Sequence, residues 1–435
     1  MGYVNMKKFN KDKYLKVLRF KKYKRYLYIG IPCLLVLLIG IYFAYSKFSV
    51  SKEEEVVRTT VGDFISGDAV IGAYVDGEYS KSIPGKNDGY IVDKIVCDND
   101  VSASWDNDSW GIVLTNLTKK TKCNIYFETK KPSLTEAITT AMNNNPSMFA
   151  TDDADNNVRY IGANPSNYVY FNCSDYNNPT ADTCEKWRII GVFNNVTKGD
   201  GSKENLVKII RADSLGYYAW SKEYDDFKYG KGDWPTSALN YLLNSGYDNE
   251  SIGGSLYWNA KSGRCWIDDY RIEYCDFASS GLKNDITRNI IENVVWNLGG
   301  MHEYCTPSEF YVKERGTRVA SGHATTWTGK IGLMYLSDYG YATIGSSGVS
   351  RTTCLEKKMS DWPNDCYNNN YLKDVGMTLS PSTGDETLTS NCGGIPCPIP
   401  ATESSSIYPT LYLKSNIKIK TGTGNEQDPY QLKIS

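Results

Sequence analysis

The sequence predicts an α+β protein with three parts: an N-terminal transmembrane helix, a small β-sandwich, and a larger mixed domain with long disulfide-stapled loops. Three observations carry this. One uncharged run of 21 residues stands alone in a chain of 435 residues with mean hydropathy −0.44. Short alternating segments bounded by turn residues fill the chain as far as Glu128. Beyond Ala150, helical and strand periodicities interleave, and the eleven cysteines outside the apolar run fall mostly into close couples. Hydrophobic residues at 41% and charged residues at 23% supply a core. They exclude collagen-like, coiled-coil and wholly disordered organisations. A single apolar run excludes a polytopic membrane protein.

The first element is a basic tail, residues 1–25. Residues 1–26 hold ten Lys/Arg and one acid, so they sum to +9 and leave −11 to the rest of a chain whose net charge is −2. Such a tail suits nucleic acid, but the next segment explains it better, and no nucleic-acid partner is expected. Residues 26–46 carry no charge, and a helix of that length spans about 30 Å, the thickness of a bilayer's hydrocarbon core. Tyrosines sit at both ends. Only Lys47 and Lys52 follow before Glu53, so the positive side is N-terminal and cytoplasmic, and residues 47–435 are placed outside the cell membrane. A cleaved signal peptide fits less well: the run is long, and Phe43-Ala-Tyr-Ser-Lys47 is a poor cleavage site.

Residues 47–131 read as a stalk and a small β-sandwich spacer. Ile71-Gly-Ala-Tyr-Val75, Tyr90-Ile-Val-Asp-Lys-Ile-Val96, Trp110-Gly-Ile-Val-Leu-Thr115 and Cys123-Asn-Ile-Tyr-Phe127 alternate between Asp-Gly and Pro-Gly turns. Residues 132–435 form the larger domain. Ser133 and Glu136 make a capping box that opens a short helix. Arg159–Gly162, Tyr168–Phe171, Trp187–Phe193 and Leu206–Arg211 read as strands, and Trp234–Leu243 as a helix with Asp233 as its cap. The clearest helix is expected over Asn284–Leu298, because Ile286, Ile290, Ile291, Val294, Val295 and Leu298 share one helical face. Lys330–Tyr335, Tyr408–Lys414, Ile417–Lys420 and Tyr430–Ile434 return to strand. The Gly-, Ser- and Asn-rich stretch 337–407 is expected to be mostly loop.

The cysteines pair most simply with near neighbours: Cys97 with Cys123, Cys173 with Cys184, Cys265 with Cys275, Cys354 with Cys366, and Cys392 with Cys397. Spacing does not fix connectivity, and Cys305 is either left over or displaces one of these partners. Zinc is disfavoured, because only Cys392 and Cys397 are closely spaced and no histidine stands near them. Disulfides in an oxidising exterior are the plain reading.

The succession Trp187-Arg-Ile-Ile190, Trp234-Pro-Thr-Ser-Ala-Leu-Asn240, Ser337-Asp-Tyr-Gly-Tyr-Ala342 and Tyr408-Pro-Thr-Leu-Tyr-Leu413 resembles uncharacterised bacterial surface proteins. Its order is similar to that of C-type-lectin-like and sulfatase-modifying-factor-like domains, over roughly residues 150–435. The resemblance implies a C-type-lectin-like α+β domain with a twisted antiparallel sheet and two helices. It implies no activity.

Catalytic residues do not emerge. Nucleophilic catalysis wants a histidine base, and His302 and His323 sit in polar stretches. Cys305 lies three residues from His302, a spacing that makes no dyad by itself. Asp153-Ala-Asp155-Asn-Asn157 begins as an EF-hand does, but Val158 and Asn164 occupy the Gly and Glu positions, so it reads as an acidic turn. No cofactor is expected, with calcium the one option kept. Trp362-Pro-Asn364-Asp365 faintly echoes the Trp-Asn-Asp segment of sugar-binding lectins. Trp220, Trp258, Trp266 and Trp327 lie in polar surroundings and join it as candidate ligand-binding residues. The expected function is non-enzymatic binding or adhesion at the bacterial surface, to a glycan or a partner protein. An envelope hydrolase with facing carboxylates or a Cys–His contact, and a pilin-like structural subunit, are the alternatives.

Overall fold

The computed structural model describes residues 57–59 and 69–434, apart from 118, 223–232, 269–270, 301–304, 320–321, 382–385 and 393. Strands hold 37% of the chain and helices 17%. The α+β expectation is therefore corrected: the protein is built mostly of β-sheet, in several small sheets joined by short helices. The basic tail and the expected span at 26–46 lie outside the described residues. Among those described, no helix is long and apolar enough to cross a membrane. The single-pass membrane protein with a cytoplasmic N-terminus expected from sequence thus finds no membrane-spanning helix among the described residues.

The chain divides into two compact units at Lys130/Lys131. In the first, a four-stranded sheet has the order Glu78–Ser80, Ala69–Val75, Thr121–Thr129, Tyr90–Cys97. Its central pair is parallel, which no hairpin can make. A three-stranded sheet, Val57–Thr59, Gly111–Thr115, Ser102–Asp106, accompanies it. Ile112, Leu114, Ile125 and Phe127 are buried between the strands. The Trp105 ring meets those of Trp110 and Phe127 edge-on at 5.2 and 5.4 Å, so both tryptophans belong to this unit's own core. Cys97 and Cys123 face each other across neighbouring strands and are bonded.

The second unit is organised by a seven-stranded antiparallel sheet. Six strands follow the order Ile331–Gly332, Thr410–Leu413, Lys203–Arg211, Glu185–Thr197, Val158–Tyr160, Phe149–Ala150. Tyr168–Phe171 also pairs with Glu185–Thr197. Five consecutive residues, Leu206–Ile210, are buried, so both faces of that strand are covered. Gly191 is required where two strands close on one another: a Cβ there would stand 2.2 Å from the Val158 carbonyl oxygen. The helix Leu134–Asn144 starts at the Ser133/Glu136 capping box.

Three local expectations are revised. The helix expected over 284–298 is confined to Asp285–Ile290, and Val294–Asn297 is a strand paired with Thr326–Gly329. Positions 294, 296 and 298 also satisfy a period of two, and Val-Val-Trp favours the extended backbone. The 234–243 helix breaks into a turn, Trp234–Thr236, and a helix, Ala238–Leu243, capped by Ser237 rather than Asp233. The stretch 337–407 carries the helices Leu336–Tyr341, Arg351–Glu356 and Asn364–Asn368 and a three-stranded sheet.

Cys173–Cys184, Cys265–Cys275 and Cys354–Cys366 are bonded, as is Cys97–Cys123. Cys397 is bonded as well, and the side chain of Cys392, its expected partner, lies outside the described residues. These disulfides are consistent with a secreted or extracellular protein. Cys305 is a buried thiol with the Lys313 ammonium 3.0 Å from its sulfur.

Candidate functional site

Four charged side chains meet in the core of the larger unit. Lys208 interrupts the apolar run Leu206–Ile210, and its side chain is fully buried. Its Nζ donates to Oδ2 of Asp338 at 2.5 Å. Arg159 donates from Nη1 to Oδ1 of Asp338 at 2.8 Å and from Nε to Oδ2 of Asp153 at 2.6 Å. Asp338 stands in the first turn of Leu336–Tyr341, where it also accepts the Tyr335 backbone N–H. Burial pushes its carboxyl up, but Lys208 and Arg159 outweigh burial and hold it at about 2. Burial lowers the Lys208 ammonium to about 8, with Asp338 resisting.

Four rings enclose that ammonium: Tyr335 at 4.3 Å, Phe193 at 5.3 Å, Trp296 at 5.4 Å and Tyr412 at 5.5 Å. The same four line a cleft of about 250 Å³. Lys208 therefore lies behind an aromatic floor. Asn194, Asn195, Thr197 and Asn297 supply amides and a hydroxyl to the walls, and Arg315 and Asp155 supply one charge of each sign. The Arg315 guanidinium lies 3.4 Å from the Tyr311 ring centroid and donates to the Tyr311 carbonyl at 3.1 Å. The Tyr311 hydroxyl donates to Asp155 and accepts from Asn157 Nδ2. Asn157 Oδ1 in turn accepts the Asn194 backbone N–H at 2.7 Å. One wall is thus fixed by a chain of hydrogen bonds running back to Asp153. On the same helix as Tyr311, Glu314 accepts from the Ser337 amide and from the hydroxyls of Ser337 and Ser380.

Of the residues singled out from sequence, Asp155 and Asn157 of the acidic turn line this cleft, whereas the candidate tryptophans, Asn364 and Asp365 do not. Trp220, Trp258 and Trp362 are buried, and Trp266 and Trp327 are half-buried. Trp220 meets Trp234 at 5.0 Å, Trp327 meets Trp234 at 5.9 Å, and Trp362 donates to the Cys354 carbonyl. Asn364 accepts from the Tyr367 hydroxyl and Asp365 from Ser346, in the helix stapled by Cys366. His302 lies outside the described residues.

Asp153 is taken up by the protein's own donors. Its oxygens accept from the backbone of Asp155 and Asn157, the Asn157 amide and the Arg159 guanidinium. Among the described residues no three His, Cys, Asp or Glu side chains gather as a metal site. Sequence reasoning missed Lys208, Asp338, Arg159 and Arg315. The one legible signal was a lysine inside Leu206-Val-Lys-Ile-Ile210, a run otherwise written for burial.

No family model, curated protein or solved structure matches this chain.

Proposed function

We propose that the cleft above Lys208 binds a neutral glycan without turning it over. The observation that carries this is the pairing of an aromatic floor with amide and hydroxyl walls. Rings take the apolar faces of a sugar, and amides donate to and accept from its hydroxyls. The disulfides suit a protein that meets such ligands outside the cell. Asp155 is the single carboxylate among the described lining residues, whereas glycoside cleavage calls for two. This reading does not require a C-type-lectin-like fold.

Asn297 offers the cleanest test. Its backbone N–H donates to the Tyr335 hydroxyl, and its side chain makes no hydrogen bond within the described residues. Asn297→Ala should leave the melting temperature unchanged and weaken glycan binding by about fivefold or more, the worth of one hydrogen bond. An array of neutral oligosaccharides followed by titration calorimetry reads both. A clean array, or equal affinity in the variant, would sink the proposal.

A further inference from the structure

A second cleft, of about 220 Å³, opens beside Lys186 and Arg188 at the start of the Glu185–Thr197 strand. Arg188 pairs with Tyr168 across the sheet, and its guanidinium carbon lies 4.1 Å from the ring centroid of Tyr168 and 4.7 Å from that of Tyr371. Its hydrogen bonds go only to neutral oxygens. Nε donates to Asn167 at 2.8 Å, Nη1 to the Tyr168 hydroxyl at 3.0 Å, and Nη2 to Asn164 and the Pro165 carbonyl at 3.4 and 3.3 Å.

The other well-shielded cations of this sheet are treated differently. Arg159, Lys208 and Arg211 each touch a carboxylate. Arg188 forms no ion pair among the described residues, so its partly buried guanidinium has no carboxylate in direct contact to replace the solvent. Burial accordingly pulls its pKa below the ordinary value, although the neighbouring Tyr168 and Tyr371 and the Glu426 carboxylate, itself paired with Lys186, oppose this. Nη1 still has an N–H to give, because a guanidinium carries five and this nitrogen spends one on Tyr168.

The same cleft carries the opposite imbalance. Lys186 is matched by Glu426 at 3.1 Å. Asp213 and Asp374 are exposed and form no ion pair among the described residues. Both border Tyr408, whose hydroxyl is pushed up by burial and then by these two carboxylates. A simple anion would meet Asp213 and Asp374, a simple cation would meet Arg188, and a neutral sugar would leave both imbalances in place. We infer that this cleft binds a small zwitterion of the α-amino-acid type, its carboxylate on Arg188 and its protonated amine toward Asp213 and Asp374.

The test uses the full chain at low salt and neutral pH, with saturation-transfer NMR and calorimetry. The probes are a panel of free α-amino acids, with N-acetylalanine and alanine amide as analogues bearing one charge. At least one free amino acid should bind saturably, and each singly charged analogue should bind about tenfold more weakly than alanine or worse, as expected for loss of one charge-assisted contact. The double variant Asp213→Asn/Asp374→Asn alters only exposed side chains, so it should fold. It should abolish the preference for alanine over N-acetylalanine while leaving the weak binding of N-acetylalanine. Arg188→Gln should remove the preference for alanine over alanine amide. The proposal is overturned if no amino acid binds saturably, if either analogue equals alanine, or if the double variant retains the wild-type preference.

Discussion

Lys208 and Asp338, 130 positions apart in sequence, meet through a 2.5 Å hydrogen bond, both fully shielded from solvent. Asp338 gives its other oxygen to Arg159, so one carboxylate serves two buried cations. Removing it should cost more than either contact alone, because two charges lose their partner at once. Asp338→Asn is expected to lower the unfolding free energy by about 3–5 kcal/mol, read by denaturant titration. A loss under about 1 kcal/mol would mean that the network contributes little.

The same pair sets an acid limb. Asp338 is held at about 2 in the folded protein, below its ordinary value of 3.8. The unfolded chain therefore binds the proton first as pH falls, and stability present above pH 4 should drain away towards pH 2. Asp338→Asn should flatten that limb, measured as the denaturation midpoint against pH. Equal slopes in wild type and variant would contradict the assignment.

An alkaline limb is expected from buried phenols. Burial raises Tyr160, Tyr257 and Tyr412 well above 10.0. Unfolding releases them to ionise at their ordinary value, so stability should fall as pH rises beyond about 10. Ultraviolet titration at 295 nm should show part of the phenol absorbance appearing only together with unfolding.

Gly191 should not tolerate a methyl group. A Cβ there would stand 2.2 Å from the Val158 oxygen and 3.1 Å from Arg159 Cα. Gly191→Ala forces the Val158–Tyr160 strand outward and disturbs the hydrogen bonds of Arg159. A loss of about 1–3 kcal/mol is expected, the usual range for overpacking. Unchanged stability would show that the strands have room to part.

Cys173 and Cys184 close a loop with a sequence separation of 11. Replacing both with serine should cost about 2–3 kcal/mol, largely by freeing the unfolded chain. Mass spectrometry of unreduced peptides should recover this pair with Cys97–Cys123, Cys265–Cys275 and Cys354–Cys366. Any of these cysteines bonded elsewhere would refute the pairing.

By itself the sequence determined what depends on neighbours in the chain. The Ser133/Glu136 cap, four near-neighbour disulfides and the strands around Trp187 and Leu206 were legible, because turns, caps and short loops are decided within a few residues. Val294–Asn297 was misread because its apolar positions fit both periods, and pairing with Thr326–Gly329 chose the strand. The parallel pairing of Ala69–Val75 with Thr121–Thr129 and the joining of Asp153, Arg159, Lys208 and Asp338 were decided only by the tertiary structure. In sequence a lone charge in a strand looks the same whether it faces water or a counter-charge far along the chain. Only the folded sheet brings Asp338 to Lys208.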